Sequence, residues 1–395
     1  MPVSNTMVWC DDGGDHGALT GASGTAANGG MYSGVNLGTG GSAQYDNTTS
    51  LGGGHTGSMK VVTGTAGATN LTVSNAFTSA AKLTGRLGAY FKMSALPSTS
   101  TCQLMGGYTS ATTGFCIFVG ITTTGKLSLL TGASGTTVLG TGTTTVSVTS
   151  PFRLTMVWNI TSTTVFTLKI FLNGNLELTV SSGTLATQNS NLLGFGALSV
   201  YPGNNISIWW SDAACDELGN LGTDFGSDCR VTNKKPAALG DLNQWPTLTG
   251  GAAGGRWNYV NDSPVNTATT ISTSVSGVLT ERFTLQAANV GSVDISAATV
   301  FGGVTWAYWK ASTTVGTCTL YGPNNVAFVM NNATTFALSY AAWSLSSYPS
   351  SNNVCGMASS SSNLTTMSEV GVMVAYIPAA AAAFSSRRMM MGVGL

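Results

Sequence analysis

Charged residues are scarce in this sequence of 395 residues, because only 8% of them are Asp, Glu, Lys or Arg and the formal net charge is zero. Nucleic acids and anionic membrane surfaces are bound through clusters of Lys and Arg. The only adjacent basic pairs are Lys234-Lys235 and Arg387-Arg388, and no run of about 18 apolar residues could cross a bilayer. We therefore expect no nucleic-acid partner and no membrane insertion.

Residues that usually carry catalysis are also few. The two histidines, His16 and His55, lie in Gly-rich segments, and no G-x-S-x-G motif presents a nucleophilic serine. A glycosidase needs two carboxylates at a fixed separation, usually on one strand, and no such pair occurs among the glutamates. The glutamates are Glu177, Glu217, Glu281 and Glu369. The sequence therefore predicts a protein that is not an enzyme, with no catalytic residues and no cofactor.

Cysteine chemistry and metal binding have little support in the sequence. The seven cysteines are odd in number and lack any C-x-x-C spacing, which predicts buried free thiols rather than a disulfide framework or a zinc site. Acidic residues cluster from Asp11 to His16 and from Asp212 to Asp228, but neither stretch fits the EF-hand spacing. Asp in Gly-rich loops commonly forms turns. We predict no metal site, and calcium binding by these loops stays open.

Residues that favour β-structure are abundant. The 51 glycines, with Ser and Thr in nearly every segment, disfavour helices and favour strands and turns. The segment TLKIFLNGNLELTV alternates apolar and polar residues on both sides of Asn173-Gly174, which predicts two half-buried strands joined by a type I′ turn. The residues predicted to face the core are Leu168, Ile170, Leu172, Leu176, Leu178 and Val180.

The pattern of strands and turns predicts an all-β chain with two domains. Roughly a dozen strand-like runs with short turns in the first half are typical of a β-sandwich. We predict this sandwich over residues 1–232 and a linker rich in Lys, Pro, Ala and Gly over residues 233–256. A second, smaller β-sandwich is expected over residues 257–378, followed by a C-terminal tail or assembly arm over residues 379–395.

Several segments resemble known families. The order GRLGAYFKM, FRLTMVWN, LKIFLNGNLE and NNISIWWSDAACDELG resembles the concanavalin A-like (laminin G-like) jelly roll. The continuation DELGNLGTDFGSDCRVTNKKPAALGDLNQWPTLTGG, followed by RWNYVNDSPVNTATTISTSVSGVLTERFTL, is similar to virion proteins of tailed phages. The resemblance implies a structural virion protein, with a minor tail or tail-tip protein preferred. The alternatives are a head-decoration or head-fibre protein and a free carbohydrate-binding lectin-like module.

The resemblance also implies a candidate sugar-binding site. Lectin-like jelly rolls bind sugars through an aromatic side chain and nearby polar groups. In the segment ISIWW, Trp209 and Trp210 should point to opposite faces of one strand, one into the core and one outward. Trp209 and Asp212, near the end of that strand, and Asn173 in the hairpin turn are the candidate carbohydrate-binding residues. In a regular strand, positions 209 and 212 face opposite sides, so the pair requires a bulge between them.

The expected partners follow from composition and resemblance. With 43% hydrophobic residues and few charges, we expect apolar surface that is covered by copies of the same chain or by other virion proteins. The resemblance adds host cell-surface polysaccharide as a further partner. The N-terminal residues lack the charged leader and apolar stretch of a secretory signal, so we expect synthesis in the host cytoplasm and assembly into the virion.

Overall fold

The computed structural model of the chain describes most of residues 6–378. The described ranges are 6–13, 32, 34–52, 57–74, 84–108, 114–132, 134–188, 192–198, 202–217, 224–225, 228–250, 255–260, 267–275, 277–289, 294–345, 347–351, 353–359 and 363–378. The tail or assembly arm predicted over residues 379–395 lies outside them, as do His16 and His55.

The first sandwich consists of two antiparallel sheets, and strands are numbered in chain order. The first sheet contains β1 (Thr6–Asp11), β3 (Ser42–Asp46), β4 (Ser58–Val62), β6 (Thr84–Met93), β11 (Phe152–Ile160), β12 (Phe166–Leu172), β13 (Asn175–Val180) and β16 (Ser207–Glu217). The second sheet contains β2 (Gly34–Asn36), β5 (Thr69–Ser74), β7 (Cys102–Tyr108), β8 (Gly114–Ile121), β9 (Lys126–Thr131), β10 (Thr137–Thr145), β14 (Thr187–Gln188) and β15 (Leu192–Ala197).

The second sandwich is also built from two antiparallel sheets. The third sheet contains β17 (Arg230–Lys234), β19 (Thr247–Thr249), β20 (Thr270–Ser272), β22 (Thr299–Ala311), β25 (Ala337–Trp343) and β27 (Thr365–Ile377). The fourth sheet contains β18 (Pro236–Asn243), β21 (Thr280–Leu285), β23 (Thr317–Tyr321), β24 (Ala327–Asn331) and β26 (Val354–Ala358). The helical elements in the described part of the chain are two short 3-10 turns, Arg256–Tyr259 and Pro323–Asn325.

The predicted all-β fold class is confirmed. The first sheet runs in the order β13-β12-β11-β6-β16-β4-β3, with β1 beside β16, and the second runs in the order β10-β9-β8-β7-β15-β5-β2, with β14 beside β8. The chain crosses repeatedly between the two sheets, which gives the jelly-roll arrangement. The crossings run from β1 to β2, β2 to β3, β4 to β5, β5 to β6, β6 to β7, β10 to β11, β13 to β14 and β15 to β16. Alternating apolar residues such as Leu87, Phe91, Leu154 and Trp158 point into the shared core.

The predicted hairpin is confirmed, with one error in its face assignment. Asn173 and Gly174 have φ values of +50° and +82°, as a type I′ turn requires. Leu176 does not face the core, because a bulge shifts the register of β13 against β12, and this side chain is 55% exposed. Beyond the bulge, the side chains of Leu178 and Val180 pack on the core, as predicted.

Residues 233–256, predicted to be a linker, carry regular strands. β17 pairs with β27, β18 pairs with β21, and β19 pairs with β20, so the chain enters the sheets of the second sandwich at Arg230. β18 lies at the edge of the fourth sheet, where Pro236 costs no ladder hydrogen bond. The Pro- and Gly-rich composition therefore marks an edge strand here and not a flexible connection.

The two sandwiches share one hydrophobic cluster. Met7 and Cys10 of β1 belong to the same cluster of buried side chains as Val304, Trp306 and Met373 of the third sheet. The Met7 backbone N–H donates to Ser344 Oγ at 3.0 Å, and Cys10 Sγ lies 3.7 Å from the carbonyl oxygen of Met373. The third sheet therefore packs directly on the first sandwich.

All seven cysteines are buried free thiols, as predicted. Burial raises the pKa of Cys102 to about 12 and that of Cys116 to about 11. The thiolate form is therefore rare at neutral pH, which makes these side chains unreactive packing residues.

Candidate functional site

Trp209 and Trp210 point to opposite faces of β16, as the sequence predicts. Trp210 is fully buried, donates from Nε1 to Tyr32 Oη at 2.7 Å, and stacks on Phe195 with ring centroids 6.0 Å apart. Trp209 is partly exposed on the outward face of the first sheet. One tryptophan is thus a core residue, and the other can be reached by a ligand.

The indole of Trp209 is held in place by Asp46, which ends β3. Trp209 Nε1 donates to Asp46 Oδ2 at 2.7 Å. Asp46 also accepts hydrogen bonds from the Thr48 backbone N–H at 2.9 Å, from Thr48 Oγ1 at 2.6 Å and from Thr49 Oγ1 at 3.0 Å. Burial alone would raise the pKa of Asp46, but these hydrogen bonds outweigh it and hold the pKa well below its ordinary value.

Two lysines flank Trp209 on the neighbouring strands. Lys60 of β4 and Lys92 of β6 are the direct cross-strand neighbours of Trp209, and Gln44 of β3 is the neighbour of Lys60. The Nζ atoms of Lys60 and Lys92 lie 5.0 and 5.7 Å from the centroid of the Trp209 ring. These four residues form a line across the outward face of the first sheet, which we name the Trp209 row.

The local charge at the Trp209 row is positive. Lys60 Nζ lies 3.9 Å from Asp46 Oδ2, which is a weak ion pair. Lys92 forms no ion pair within the described part of the chain. The ammonium groups of Lys60 and Lys92 therefore lie near a single carboxylate, that of Asp46. This carboxylate already accepts hydrogen bonds from Thr48, Thr49 and Trp209.

Asp212 lies inside the protein and away from the Trp209 row. The bulge required by the sequence analysis is present, because the register of β16 shifts between Ser211 and Ala214, and Asp212 has a φ of +52°. The carboxylate is fully buried because Ser211, Arg230 and Val231 surround it. Its Oδ1 accepts the Val231 backbone N–H at 2.8 Å, and its Oδ2 lies 3.5 Å from Arg230 Nη1. Asp212 thus connects the first sandwich to β17.

Asn173 is occupied by the hairpin and does not approach Trp209. Its side-chain Oδ1 accepts the Arg153 backbone N–H at 2.8 Å, and its own backbone N–H donates to the Arg153 carbonyl at 2.9 Å. Arg153 also donates from Nη1 to the Asp212 carbonyl at 3.4 Å. The structure therefore brings Asp212 and Asn173 together at Arg153, while Trp209 meets other residues.

Arg86, Asp216 and Arg153 are buried charged residues on neighbouring strands of the first sheet. The guanidinium of Arg86 forms an ion pair with Asp216 at 2.7 Å and lies over the ring of Phe225 at 4.1 Å from its centroid. Arg153 is 1% exposed, and its Nε and Nη2 atoms have no hydrogen-bond partner among the residues that the structure describes. It lies 5.1 Å from the centroid of Tyr90, whose pKa is raised to about 12 because burial outweighs the nearby guanidinium groups.

The sequence analysis missed Asp46, Lys60 and Lys92. A signal for Asp46 exists in the segment YDNTTS, because an Asp followed by two threonines is typical of a carboxylate that caps its own turn. The lysines carry no local signal, since their approach to Trp209 depends on which strands become neighbours.

The four glutamates of the chain all lie in the described residues. The glutamates lie on four different strands, namely β13, β16, β21 and β27. Among the residues that the structure describes, no three His, Cys, Asp or Glu side chains are arranged to hold a metal ion. No helix in the same ranges is long and apolar enough to span a membrane.

Comparisons with known proteins give structural similarities alone. No family model matches the chain, and no curated protein matches it. The cellulose induced protein Cip1 is 18% identical over 45% of this chain and 87% of its own, with a TM-score of 0.35. An endo-β-1,4-glucuronan lyase from the fungus Trichoderma reesei is 12% identical over 53% of this chain and 95% of its own, with a TM-score of 0.36.

A third similar structure is a carbohydrate esterase from the Shiga toxin-encoding bacteriophage phi24B. It is 14% identical, covers 55% of this chain and 100% of its own, and has a TM-score of 0.35. Each similarity covers about half of this chain, and identities and scores this low do not indicate what the chain binds or whether it is an enzyme.

Proposed function

We propose that the chain is a non-enzymatic structural component of a phage-like virion, with a place in the tail preferred, and that its first sandwich contributes to adhesion to host-surface glycans. The observation that carries the adhesion part is Trp209, a partly exposed aromatic side chain that is fixed by Asp46 on an open sheet face.

The chemistry of the Trp209 row suits a glycan. A sugar ring has an apolar face that packs on an aromatic side chain and hydroxyl groups that bond to amide and charged groups. The row supplies the indole of Trp209, the amide of Gln44 and the ammonium groups of Lys60 and Lys92. Because Asp46 already orients the indole in the free protein, binding would cost little further ordering.

The virion part of the proposal is supported by sequence resemblance and by the construction of the molecule. The segment running through Arg230 is the one that resembles tailed-phage virion proteins, and in the structure it includes β17 of the second sandwich. The two sandwiches share a hydrophobic cluster, which suits a structural component of a particle.

Particle composition tests the virion part. We expect mass spectrometry of purified phage particles to detect the chain and gold-labelled antibodies to mark the tail. Labelling of the head would favour the head-decoration or head-fibre alternative. Absence of the chain from the particles, with sugar binding by the free protein, would support a lectin-like module instead.

Binding to isolated host cell wall tests the adhesion part. The full chain is sedimented with cell-wall polysaccharide, and Trp209→Ala is compared with Trp257→Ala, which changes a partly exposed tryptophan of the second sandwich. We expect Trp209→Ala to lose about tenfold in affinity, in line with loss of one stacked ring. An equal loss of affinity in both variants, or no loss of affinity in either, would contradict the assignment of Trp209 to the binding site.

A further inference from the structure

We infer that the Trp209 row selects polysaccharides that carry negative charge, with carboxylate or phosphate groups along the chain. This inference rests on the proposed adhesion function and names the chemical class of its ligand. Lys60 and Lys92 lie on either side of the aromatic ring, so a sugar placed at Trp209 meets an ammonium group in both directions across the sheet.

The charge balance at the row supports an anion. In a chain with only 15 Lys and Arg residues, two of them flank the one outward-facing tryptophan of β16. The carboxylate that faces them is Asp46, whose oxygens already accept hydrogen bonds from Thr48, Thr49 and Trp209. Lys92 has no carboxylate within ion-pair distance in the described ranges. An anionic group of a ligand would supply the missing counter-charge.

The geometry of the row favours a polymer over a single sugar. Gln44, Lys60, Trp209 and Lys92 occupy directly paired positions on four neighbouring strands. Neighbouring strands lie about 4.8 Å apart, so the row is about 14 Å long. A polysaccharide that crosses the strands at right angles would place successive sugar units over successive side chains, with charged substituents near Lys60 and Lys92.

A purely structural role for the lysines makes a different prediction. Lysine stems cover apolar surface, and an ammonium group near an indole is attracted by its ring. If Lys60 and Lys92 served only this purpose, their replacement would lower the stability of the fold and leave the preference among polymers unchanged. Binding preference therefore separates the two roles.

The experiment measures binding of the full chain to three immobilised polymers: polygalacturonate, a glycerol phosphate polymer and neutral dextran. We expect at least one anionic polymer to bind about tenfold more tightly than dextran at low salt, as two exposed ion pairs allow. The preference should fall when salt is raised from about 0.02 M to about 0.5 M. Preference for the uronate or for the phosphate polymer identifies the source of the charge.

The variant Lys60→Gln/Lys92→Gln should bind all three polymers equally. The matched control is Lys310→Gln, because Lys310 lies 4.8 Å from the ring centroid of Phe336 on the second sandwich and forms the same type of contact. Equal binding of anionic and neutral polymers by the natural chain, or an unchanged preference in the double variant, would overturn the inference and leave the adhesion proposal standing. Failure to bind any polysaccharide, including host cell wall, would overturn both.

Discussion

At the scale of single residues, Asp46 and Trp209 are joined by a hydrogen bond on the outward face of the first sheet. The hydrogen bond between them joins positions 163 residues apart in the chain. This hydrogen bond fixes the indole of Trp209. The ammonium groups of Lys60 and Lys92 lie 5.0 and 5.7 Å from the centroid of the fixed ring. The electrostatic state of Asp46 therefore matters for both stability and binding.

Asp46 should make the protein sensitive to acid. Its pKa is lower in the folded state than in the unfolded chain, so the unfolded chain takes up a proton first as the pH falls through about 4. The stabilisation by Asp46 is thus complete at neutral pH and is lost in acid. We expect the free energy of unfolding in urea to be lower at pH 3 than at pH 7. This decrease should be about 1 kcal/mol smaller in Asp46→Asn than in the natural chain.

The control for Asp46 is Asp241→Asn on the second sandwich. Like Asp46, Asp241 lies near a cationic side chain, because Arg282 Nη1 is 3.3 Å from its Oδ2. The side chain of Asp241 is 61% exposed. This variant should retain the acid sensitivity of the natural chain. If Asp46→Asn retained it as well, the hydrogen bonds to Asp46 would not stabilise the charged form.

Arg86 and Arg153 are both buried, and within the described ranges only Arg86 forms an ion pair with a carboxylate. Arg86→Met should cost about 3–5 kcal/mol, because it leaves Asp216 charged and buried without a counter-ion. Arg153→Met should be neutral or stabilising by about 1 kcal/mol, because two guanidinium nitrogens have no hydrogen-bond partner in the described part of the chain. Denaturant unfolding of both variants measures the difference. A strongly destabilised Arg153→Met would indicate that this guanidinium is satisfied in solution.

At the scale of structural elements, the bulge in β13 joins the open edges of the two sheets in the first sandwich. Glu177, the extra residue at the bulge, accepts the backbone N–H groups of Thr143 and Thr144 of β10 at 2.6 and 2.8 Å. β13 and β10 are the terminal strands of the first and second sheets. The carboxylate therefore caps strand edges that would otherwise be open for pairing.

Glu177→Ala should destabilise the first sandwich by about 1 kcal/mol, a modest value because the contact is partly exposed. The adjacent Leu176→Ala is the control, since Leu176 is 55% exposed and its truncation should change stability by less than about 0.5 kcal/mol. Thermal unfolding of both variants at pH 7 provides the comparison. Equal effects would mean that the bulge does not depend on the carboxylate.

The sequence was informative about elements with regular alternation and uninformative about irregular contacts. The turn at Asn173-Gly174 and the opposite faces of Trp209 and Trp210 follow from local patterns, and the structure confirms both. The exposure of Leu176 depends on a bulge, which reverses the face of a side chain without a reliable sequence signal. The burial of Asp212 depends on contacts with Arg230 and Val231, which lie 18 and 19 residues further along the chain. The lysines beside Trp209 are likewise set by the pairing of strands that are far apart in the sequence.

At the scale of the whole molecule, the shared cluster predicts that the two sandwiches unfold together. Side chains of β1 and of the third sheet belong to the same buried cluster, so separation of the sandwiches would expose apolar surface on both. The expected homo-oligomer or insertion into a larger assembly stays a prediction.

Buried thiols can report the unfolding of each sandwich separately. Cys102 lies in the core of the first sandwich and Cys355 in that of the second, and both are fully buried. We expect both to lose protection from a thiol reagent at the same urea concentration, as measured by mass spectrometry of labelled peptides. Protection lost at clearly different urea concentrations would show that the sandwiches are independent.

Glycan binding at Trp209 can be observed through the indole N–H signals of the protein. The chain has nine tryptophans, and the Trp209 signal can be assigned by its loss in Trp209→Phe. On titration with host-surface polysaccharide, we predict that the Trp209 signal shifts while that of the buried Trp210 stays in place. A Trp209 signal that does not move while the polysaccharide binds would contradict the account.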